Sequence, residues 1–358
     1  MFPAAKTNDQ LVPSLHVSVN GRSLPQQAVS DLLSASVLED VTAPSMFTLT
    51  LVNWDMDRLR VTWADSDLFA EGNEVEVQMG YVDAYETLLV GEITGLEPVF
   101  VARDVPKLVV RGYDRRHRLM RDRRTRTFTQ VKDSDIASQL ASAAGLKADT
   151  ADSTVILEYV IQHNQTDLEF LSQRARHIGY DMRVDDKTLI FRPYRNTDTA
   201  QITLTRTKDL LEFYPRLSTM AQASDIQLRS WNPLDKALFN GQAKAGAEGT
   251  TMGGKTTGPR ALQTSLGNAA ANTVIDRPVL SQAEADQIAQ AQLQRRALSY
   301  ITGEGITVGR TDLRAGTVVG IEGIGQRFSG RYYLPSVEHT YSARVGYRTH
   351  FTVRRNAT

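Results

Sequence analysis

The chain has 358 residues, enough for about two to three domains and a sizeable core. Its 41 lysines and arginines balance 41 aspartates and glutamates, so no overall field attracts it to nucleic acid or to an anionic membrane. The absence of cysteine excludes disulfides, thiolate zinc sites and a cysteine nucleophile.

The N-terminal segment, MFPAAKTNDQLVPS, lacks the apolar stretch of a secretory signal peptide. No run of the sequence approaches the roughly 18 apolar residues of a membrane span. We therefore expect a protein that is made in the cytoplasm and does not insert into a membrane.

Residues 15–110 alternate polar and apolar side chains. Phe47, Leu49 and Leu51, for example, are separated by threonines, and this period of two predicts half-buried strands. The pattern favours a first β-barrel-like antiparallel domain over residues 1–127. Further runs of this kind lie at 15–19, 75–79, 88–93, 99–102 and 108–111.

The period then changes from two to four. Ile136 and Leu140 predict a helix that Asp133 or Ser134 can cap at its start and that Gly145 ends.

A second helix is predicted where Thr166 and Glu169 have the spacing of a capping box and Gly179 supplies the stop. Together with a following hairpin, residues 128–195 read as a small α/β module of two helices and a strand pair. The hairpin strands are predicted at 180–184 and 188–192.

Strand patterns resume after the module and predict a second β-barrel-like domain from residues 196–240 and 304–358. Between its two parts lies an insertion, residues 241–303. The predicted strands of its first part are 201–205, 216–221 and 225–231, and those of its second part lie within 306–353.

The insertion begins with residues 241–278, which are rich in Gly, Thr, Ala and Gln and predict a long loop, mobile unless a partner orders it. Ser281 and Glu284 form a capping box for a helix that is predicted to end near Gly303. The predicted fold class is therefore mainly β with an α/β insertion (α+β), with a long loop and one helix interrupting the second domain.

Residues 111–126 contain eight arginines and two aspartates. A phosphate-backbone binder could use Arg115 to Arg126, but sequence-tolerant single-strand binding also needs interleaved aromatics, and only Tyr113 and the flanking Phe128 are near. A structural joint, or an electropositive surface or lumen lining that meets acidic loops of a partner, is the favoured interpretation.

Gly249 to Thr256 match the phosphate-loop pattern G-x-x-x-x-G-K-[ST]. Such a loop needs a buried strand before it and a helix N-terminus after it. Residues 241–248 show no strand pattern, and Gly258 and Pro259 stand where the helix should run. The pattern is therefore read as a chance match within a Gly/Thr-rich loop.

No other motif predicts chemistry. The six histidines lack the spacing of a metal site, and no nucleophile elbow occurs. Glu74 and Glu76 share one face of a strand, which could suit glycoside hydrolysis but more simply marks a solvated sheet face. We expect no catalytic, cofactor-binding or metal-binding residues.

Three segments together resemble one known family. They are the passage from Gly112 through Phe128 to Leu146, the run from Asn164 to Leu171 followed by Gly179 and Tyr180, and the closing run from Gly346 to Asn356. In them the chain resembles the phage late control protein D family, the hub of contractile tails. That family is similar to the N-terminal hub portion of VgrG in type VI secretion and of extracellular contractile injection systems.

The resemblance implies a non-enzymatic homotrimer at the centre of a baseplate. Each chain would contribute two similar β domains, so that three chains offer six docking positions to a sixfold inner tube and a threefold face to a trimeric spike. The implied partners are inner tube or tube-initiator proteins, the spike and baseplate proteins, without nucleic acid. Many relatives continue into an OB-fold and a β-helical spike, whereas this sequence stops at Thr358.

Two other functions remain open from the residues alone. One is a cell-envelope hydrolase at a tail tip, and the other is phosphate-backbone binding through Arg115 to Arg126.

Overall fold

The computed structural model describes residues 12–82, 84–197, 199–232, 236–267, 271–274 and 279–358. The N-terminal residues of the first predicted domain, and residues 268–270 and 275–278 of the predicted loop, lie outside the described part.

The N-terminal part is an antiparallel unit with one buried face. Its elements are β1 (Pro13–Val19), β2 (Arg22–Ser23), α1 (Gln26–Asp31), β3 (Leu32–Asp40), β4 (Met46–Val52), β5 (Glu74–Tyr81), β6 (Ala84–Val99) and β7 (Lys107–Tyr113). In β4 the side chains of Phe47, Leu49 and Leu51 are fully buried while the intervening threonines are half-buried. Alternation along each strand therefore builds the first core.

The long strand β6 differs from expectation. The strand predicted at 88–93 lies within β6, but the separate strand predicted at 99–102 is wrong, because β6 runs unbroken through Val99 and residues 100–106 form the connection to β7. A register shift between Ile93 and Gly95 lets the strand bend without ending.

The α/β module contains more strands than the predicted hairpin. Its elements are β8 (Arg123–Val131), α2 (Asp133–Ala143), β9 (Lys147–Thr150), β10 (Leu157–Thr166), α3 (Asp167–Ile178), β11 (Tyr180–Asp185) and β12 (Thr188–Pro193). The predicted hairpin is confirmed as β11 and β12. Leu140, Leu171 and Phe191 are buried in a separate core of this module.

The helix ends in the module follow the sequence with one exception. Gly145 and Gly179 have φ values of +74° and +72°, the left-handed conformation that suits glycine after a helix. The prediction that Asp133 or Ser134 caps α2 is wrong, since the helix begins at Asp133 after Lys132. The Asp133 carboxylate instead accepts from Arg174 Nε and Nη2 at 2.5 and 3.0 Å.

The capping box of α3 is confirmed. Thr166 Oγ1 accepts from Glu169 N at 3.1 Å, and the Glu169 carboxylate accepts from Thr166 N at 2.9 Å. Two N–H groups that have no intrahelical partner are therefore satisfied.

Replacing Thr166 by alanine is expected to lower the free energy of unfolding by about 1 kcal/mol, because Glu169 N loses its acceptor. Urea unfolding followed by circular dichroism measures this. Thr166→Ser keeps the hydroxyl and should retain most of the stability; equal losses in both variants would contradict a capping role.

The C-terminal part forms the second β unit and its insertion. Its elements are β13 (Ile202–Thr205), β14 (Leu210–Leu217), β15 (Asp225–Asn232), β16 (Ala237–Lys244), α4 (Gly258–Leu266), β17 (Ala271–Val274), α5 (Gln282–Ala297), β18 (Ile301–Val308), β19 (Val318–Glu322), β20 (Gly330–Ser342) and β21 (Gly346–Arg355). The strand predicted at 216–221 is wrong, because β14 ends at Leu217 and a turn follows.

Helix α5 also ends earlier than predicted. Ser281 Oγ accepts from Glu284 N at 3.1 Å, as a cap should, but the Glu284 carboxylate accepts from Leu280 N rather than from Ser281 N. The helix ends at Ala297, and Gly303 lies within β18 because that residue pairs with Val353 of β21.

The long loop predicted from residues 241–278 is only partly a loop. In its described part, β16 extends to Lys244, α4 begins at Gly258, and β17 pairs in parallel with β15. Pro259 lies in the first turn of α4, where its missing N–H costs nothing. Met252 and Leu262 are buried and anchor the segment despite its polar composition.

One large sheet joins the two β units. Thirteen of the described strands belong to it, and β20 is shared: its first residues pair with β19, and residues 336–342 pair with β3 of the N-terminal unit. β21 likewise places Tyr347 in the first core and Phe351 in the second. The predicted class, mainly β and α+β, is confirmed.

Candidate functional site: an arginine-rich joint between units

The arginine-rich segment 111–126 spans the end of β7, a short 3-10 helix (Arg115–Met120) and the start of β8. It connects the first β unit to the α/β module. Arg115, Arg116 and His117 are buried, whereas Arg121, Arg123 and Arg124 are exposed. The segment therefore has an inner part that holds the units together and an outer part that faces solvent.

Arg116 is the centre of the inner part and is 1% exposed. Its guanidinium donates to Asp114 at 2.9 Å, to the carbonyls of Asp40 (2.9 Å) and Met182 (3.1 Å), and to Ser45 Oγ (2.9 Å). Asp40 and Ser45 belong to the first β unit and Met182 to the module, so one planar fork of donors links both.

Asp114 makes this arrangement possible. Its carboxylate, 1% exposed, accepts from Ser45 N and Arg116 N, each at 2.8 Å, as well as from the Arg116 side chain. A buried charge pair persists only when its remaining hydrogen-bonding atoms are also satisfied, and here the backbone supplies those bonds.

Glu92 pairs with neighbouring basic side chains of the segment. It pairs with His117 Nε2 at 2.7 Å and accepts from Arg118 Nε at 3.1 Å. Burial acts to raise the pKa of Glu92, but hydrogen bonds from Arg118 and His117 outweigh it and lower that pKa. Arg115 is paired with Glu74, one of the two carboxylates of the Glu74 and Glu76 pair.

The formal charge of segment 111–126 is offset by groups from elsewhere in the chain. Eight arginines less two aspartates leave an excess of six positive charges. Six carboxylates outside the segment form ion pairs with it: Glu74, Glu92, Glu97, Asp167, Glu169 and Asp186. The joint is therefore close to electroneutral, which disfavours a phosphate-backbone site.

A second joint connects the two β units directly. Arg314, before β19, donates from Nε to the buried carboxylate of Glu39 on β3 at 2.5 Å, and from Nη2 to the carbonyl of Leu88 at 2.8 Å. The other Glu39 oxygen accepts from Ala315 N at 3.0 Å. Burial raises the pKa of Glu39, although Arg314 opposes this shift.

An open pocket of about 430 Å³ lies at this second joint, with Glu39, Arg183, Asp186 and Arg314 in its wall. Glu39 and Arg314 are bound to each other, and Arg183 donates to the carbonyl of Ala315 at 3.2 Å. These polar groups are occupied in holding the units together rather than directed at a ligand.

The module and the second β unit meet at Asp181 and Tyr333. The Tyr333 hydroxyl donates to the Asp181 carboxylate; Tyr333 is buried and Asp181 is partly buried. Burial raises the pKa of Asp181 to about 7, against the opposing effects of Tyr333 and Arg183. Nothing in the local sequence predicts this contact, because 152 positions separate its partners.

His339 is fully buried on the shared strand β20. Its Nε2 faces the carbonyl of Leu313 at 3.1 Å, and Nδ1 faces the Tyr347 hydroxyl at 2.8 Å. Burial lowers the pKa of His339 to about 3, so the ring is neutral at ordinary pH. Among the described residues, no group of three or more His, Asp or Glu side chains is arranged to hold a metal ion.

The two structural predictions made against a phosphate loop at Gly249 to Thr256 are wrong: β16 extends to Lys244, and helix α4 follows the pattern, with Thr257 as its N-cap and Gly258 and Pro259 in its first turn. The N–H groups of Lys255 and Thr256 donate to Thr358.

In the part of the chain that the structure describes, no helix is both long and apolar enough to cross a membrane.

The fold defines the class of protein to which this chain is similar: tail proteins of phages and components of type VI secretion. A 43 kDa tail protein of prophage MuSo2 from Shewanella oneidensis superposes with a TM-score of 0.71 at 14% identity, over 96% of this chain and 98% of that one. A tail protein from Neisseria meningitidis MC58 gives 0.69 at 16% identity, with 96% of both chains covered.

A third solved structure extends the class to secretion systems. The c3393 protein of E. coli is described as a component of the type VI secretion system, with structural similarity to the T4 tail proteins gp27 and gp5. It superposes with a TM-score of 0.61 at 14% identity, over 95% of this chain and 77% of that one. These neighbours match the resemblance to contractile-tail proteins found in the sequence.

The chain belongs to the Alg8 N-terminal domain family, whose model matches residues 9–343. No curated protein sequence matches the chain.

Proposed function

We propose that this chain is the structural hub of a contractile tail or injection system, a trimer that adapts the sixfold inner tube to the threefold spike at the baseplate centre. The observation that carries the proposal is the fold, which follows phage tail proteins over 96% of the chain. The similarity to a type VI secretion component supports the same role in an injection device.

The internal arrangement suits a hub. Two β units are joined by a continuous sheet and by the Arg314 to Glu39 pair, so in this proposal each unit would present one barrel-like surface in a fixed relation to the other. A ring of three chains would then offer six such surfaces, which is what a sixfold partner requires. We assign the surfaces to residues 1–127 and to residues 196–240 with 304–358, the module to residues 128–195, and the insertion to residues 241–303; β8, β16 and β18 each cross one of these boundaries.

Partner binding in this proposal uses strand edges rather than an active site. β8 and β10 form a two-stranded sheet, so each has an edge that no other described strand covers. Tyr159 and Ile161 are about half exposed on its outer face. Edges of this kind accept strands from other chains, and tube, spike and baseplate proteins are the proposed partners.

A non-enzymatic role fits the balance of charge at the arginine-rich joint. Seven of its eight arginines pair with the chain's own carboxylates, so neither phosphate binding nor membrane insertion is proposed. In this proposal the chain acts only by binding its partners.

Light scattering of the purified chain, alone and with a separately purified trimeric spike, tests this function. Three copies of 39.7 kDa give about 119 kDa, and we expect that mass for the chain alone or on adding spike. A chain that stays at 39.7 kDa with spike and tube protein present would refute the hub assignment.

A further inference from the structure

The loop between β16 and α4 is held from inside. Met252 is fully buried beside Leu298, Val318 and Tyr333. Glu248, 3% exposed, accepts from Thr257 Oγ1 at 2.7 Å with one oxygen and from the backbone N–H of Gly246 at 2.8 Å with the other. These anchors give residues 249–258 a defined shape although the segment has little regular secondary structure.

The backbone of this loop is hydrogen-bonded to residues 356–358. Lys255 N and Thr256 N both donate to the Thr358 oxygen, at 2.7 and 3.3 Å, and Thr358 N returns a bond to Thr256 O at 3.0 Å. Farther back, Gly258 N donates to Asn356 O at 2.9 Å. The two segments run antiparallel, with a bridge between Thr257 and Ala357.

Side chains add selectivity to the backbone bonds. Asn356 Nδ2 donates to the carbonyl of Thr250 at 2.5 Å, and both Asn356 and Ala357 are almost completely buried. Gly254 lies against them, where a Cβ atom would stand 2.7 Å from the Ala357 Cβ and 2.9 Å from the Thr358 oxygen. The groove therefore fits an amide side chain followed by a small one.

We propose that residues 249–258 form a peptide-binding groove whose ligand is an extended Asn-Ala-Thr segment, supplied within this chain by residues 356–358. Successive backbone N–H groups that converge on one oxygen are a recurrent way to hold a carboxylate or carbonyl. The residues that match the phosphate-loop pattern bind a peptide segment here. Binding of the segment orders the loop and fixes the end of β21, independently of any role in a tail.

The substitution Gly254→Ala in the full chain tests the groove, with Gly95→Ala as the matched control. Neither glycine has a positive φ, and a Cβ at Gly95 meets no atom within 4 Å. Gly254→Ala is expected to expel the segment, so that trypsin cleaves after Lys255 and Arg260 about tenfold faster or more. Gly95→Ala should cleave as wild type does; unchanged cleavage in Gly254→Ala would overturn the proposal.

A chain truncated after Arg355 tests whether the groove binds the segment as a separate peptide. Adding the synthetic peptide Asn-Ala-Thr, which corresponds to residues 356–358 and has no tryptic site, should restore protection of Lys255 and Arg260, whereas the same peptide with tryptophan in place of Ala357 should not. Protection by both peptides, or by neither, would contradict a selective groove. If the truncated chain does not fold, hydrogen exchange at Lys255 and Thr256 in the intact chain decides, since fast exchange of both N–H groups excludes the bonds to Thr358.

Discussion

Replacing Arg116 by methionine is expected to lower the free energy of unfolding by about 3–5 kcal/mol. The substitution leaves Asp114 charged and buried and removes donors from the carbonyls of Asp40 and Met182. Urea unfolding followed by intrinsic fluorescence measures the change. Lysine at the same position should restore little, because a point charge cannot reach acceptors on both units at once.

Arg124→Met is the matched control for that experiment. Arg124 has 46% of its side chain exposed and pairs with Asp122 at 3.4 Å, so its loss should cost less than about 1 kcal/mol. The double variant Asp114→Asn with Arg116→Met should recover part of the stability, since no unpaired charge is left. Equal stability of Arg116→Met and Arg124→Met would show that the joint is dispensable.

Asp181→Asn and His339→Gln are expected to change the pH dependence of stability in opposite directions. Asp181 has a folded pKa of about 7 against an ordinary 3.8, so its stabilisation is complete below pH 3.8 and lost as pH rises through 7. His339 has a folded pKa of about 3 against 6.5, so its stabilisation is complete above pH 6.5 and lost as pH falls through 3. Between pH 3.8 and 6.5 the two effects cancel in the wild type.

Each variant should expose the contribution of the other residue. With Asp181→Asn, the free energy of unfolding should fall relative to wild type by about 1.4 kcal/mol for each pH unit of acidification in this window; with His339→Gln it should rise by about as much. Urea unfolding at three pH values within the window gives both slopes. His163→Gln, on an exposed position of β10, is the control. Parallel slopes for all chains would contradict the opposed titrations.

Local signals in the sequence predict local structure well. Alternating apolar residues place the buried face of β4, and Thr166 with Glu169 marks the start of α3, because each depends on residues a few positions apart. β8 and β10 were not predicted, since arginines and threonines occupy both faces of β8 and mask its period.

The joints could not be predicted for a different reason. Glu39 and Arg314 lie 275 positions apart, and neither sits in a recognisable motif. The arginine run does signal an unusual site, but its character depends on six carboxylates that only the fold brings near. Residues 255–258 are likewise bonded to residues 356–358, which lie far from them in the sequence.

Because β20 pairs with β3 at one end and with β19 at the other, neither core can lose that strand and keep its own sheet intact. When heat or a pulling force detaches β20, both cores are exposed to solvent at once. The two halves therefore share one melting event, and a chain divided between them would leave each half with an uncovered apolar surface. The thirteen-residue strand β20 thus couples the two cores mechanically.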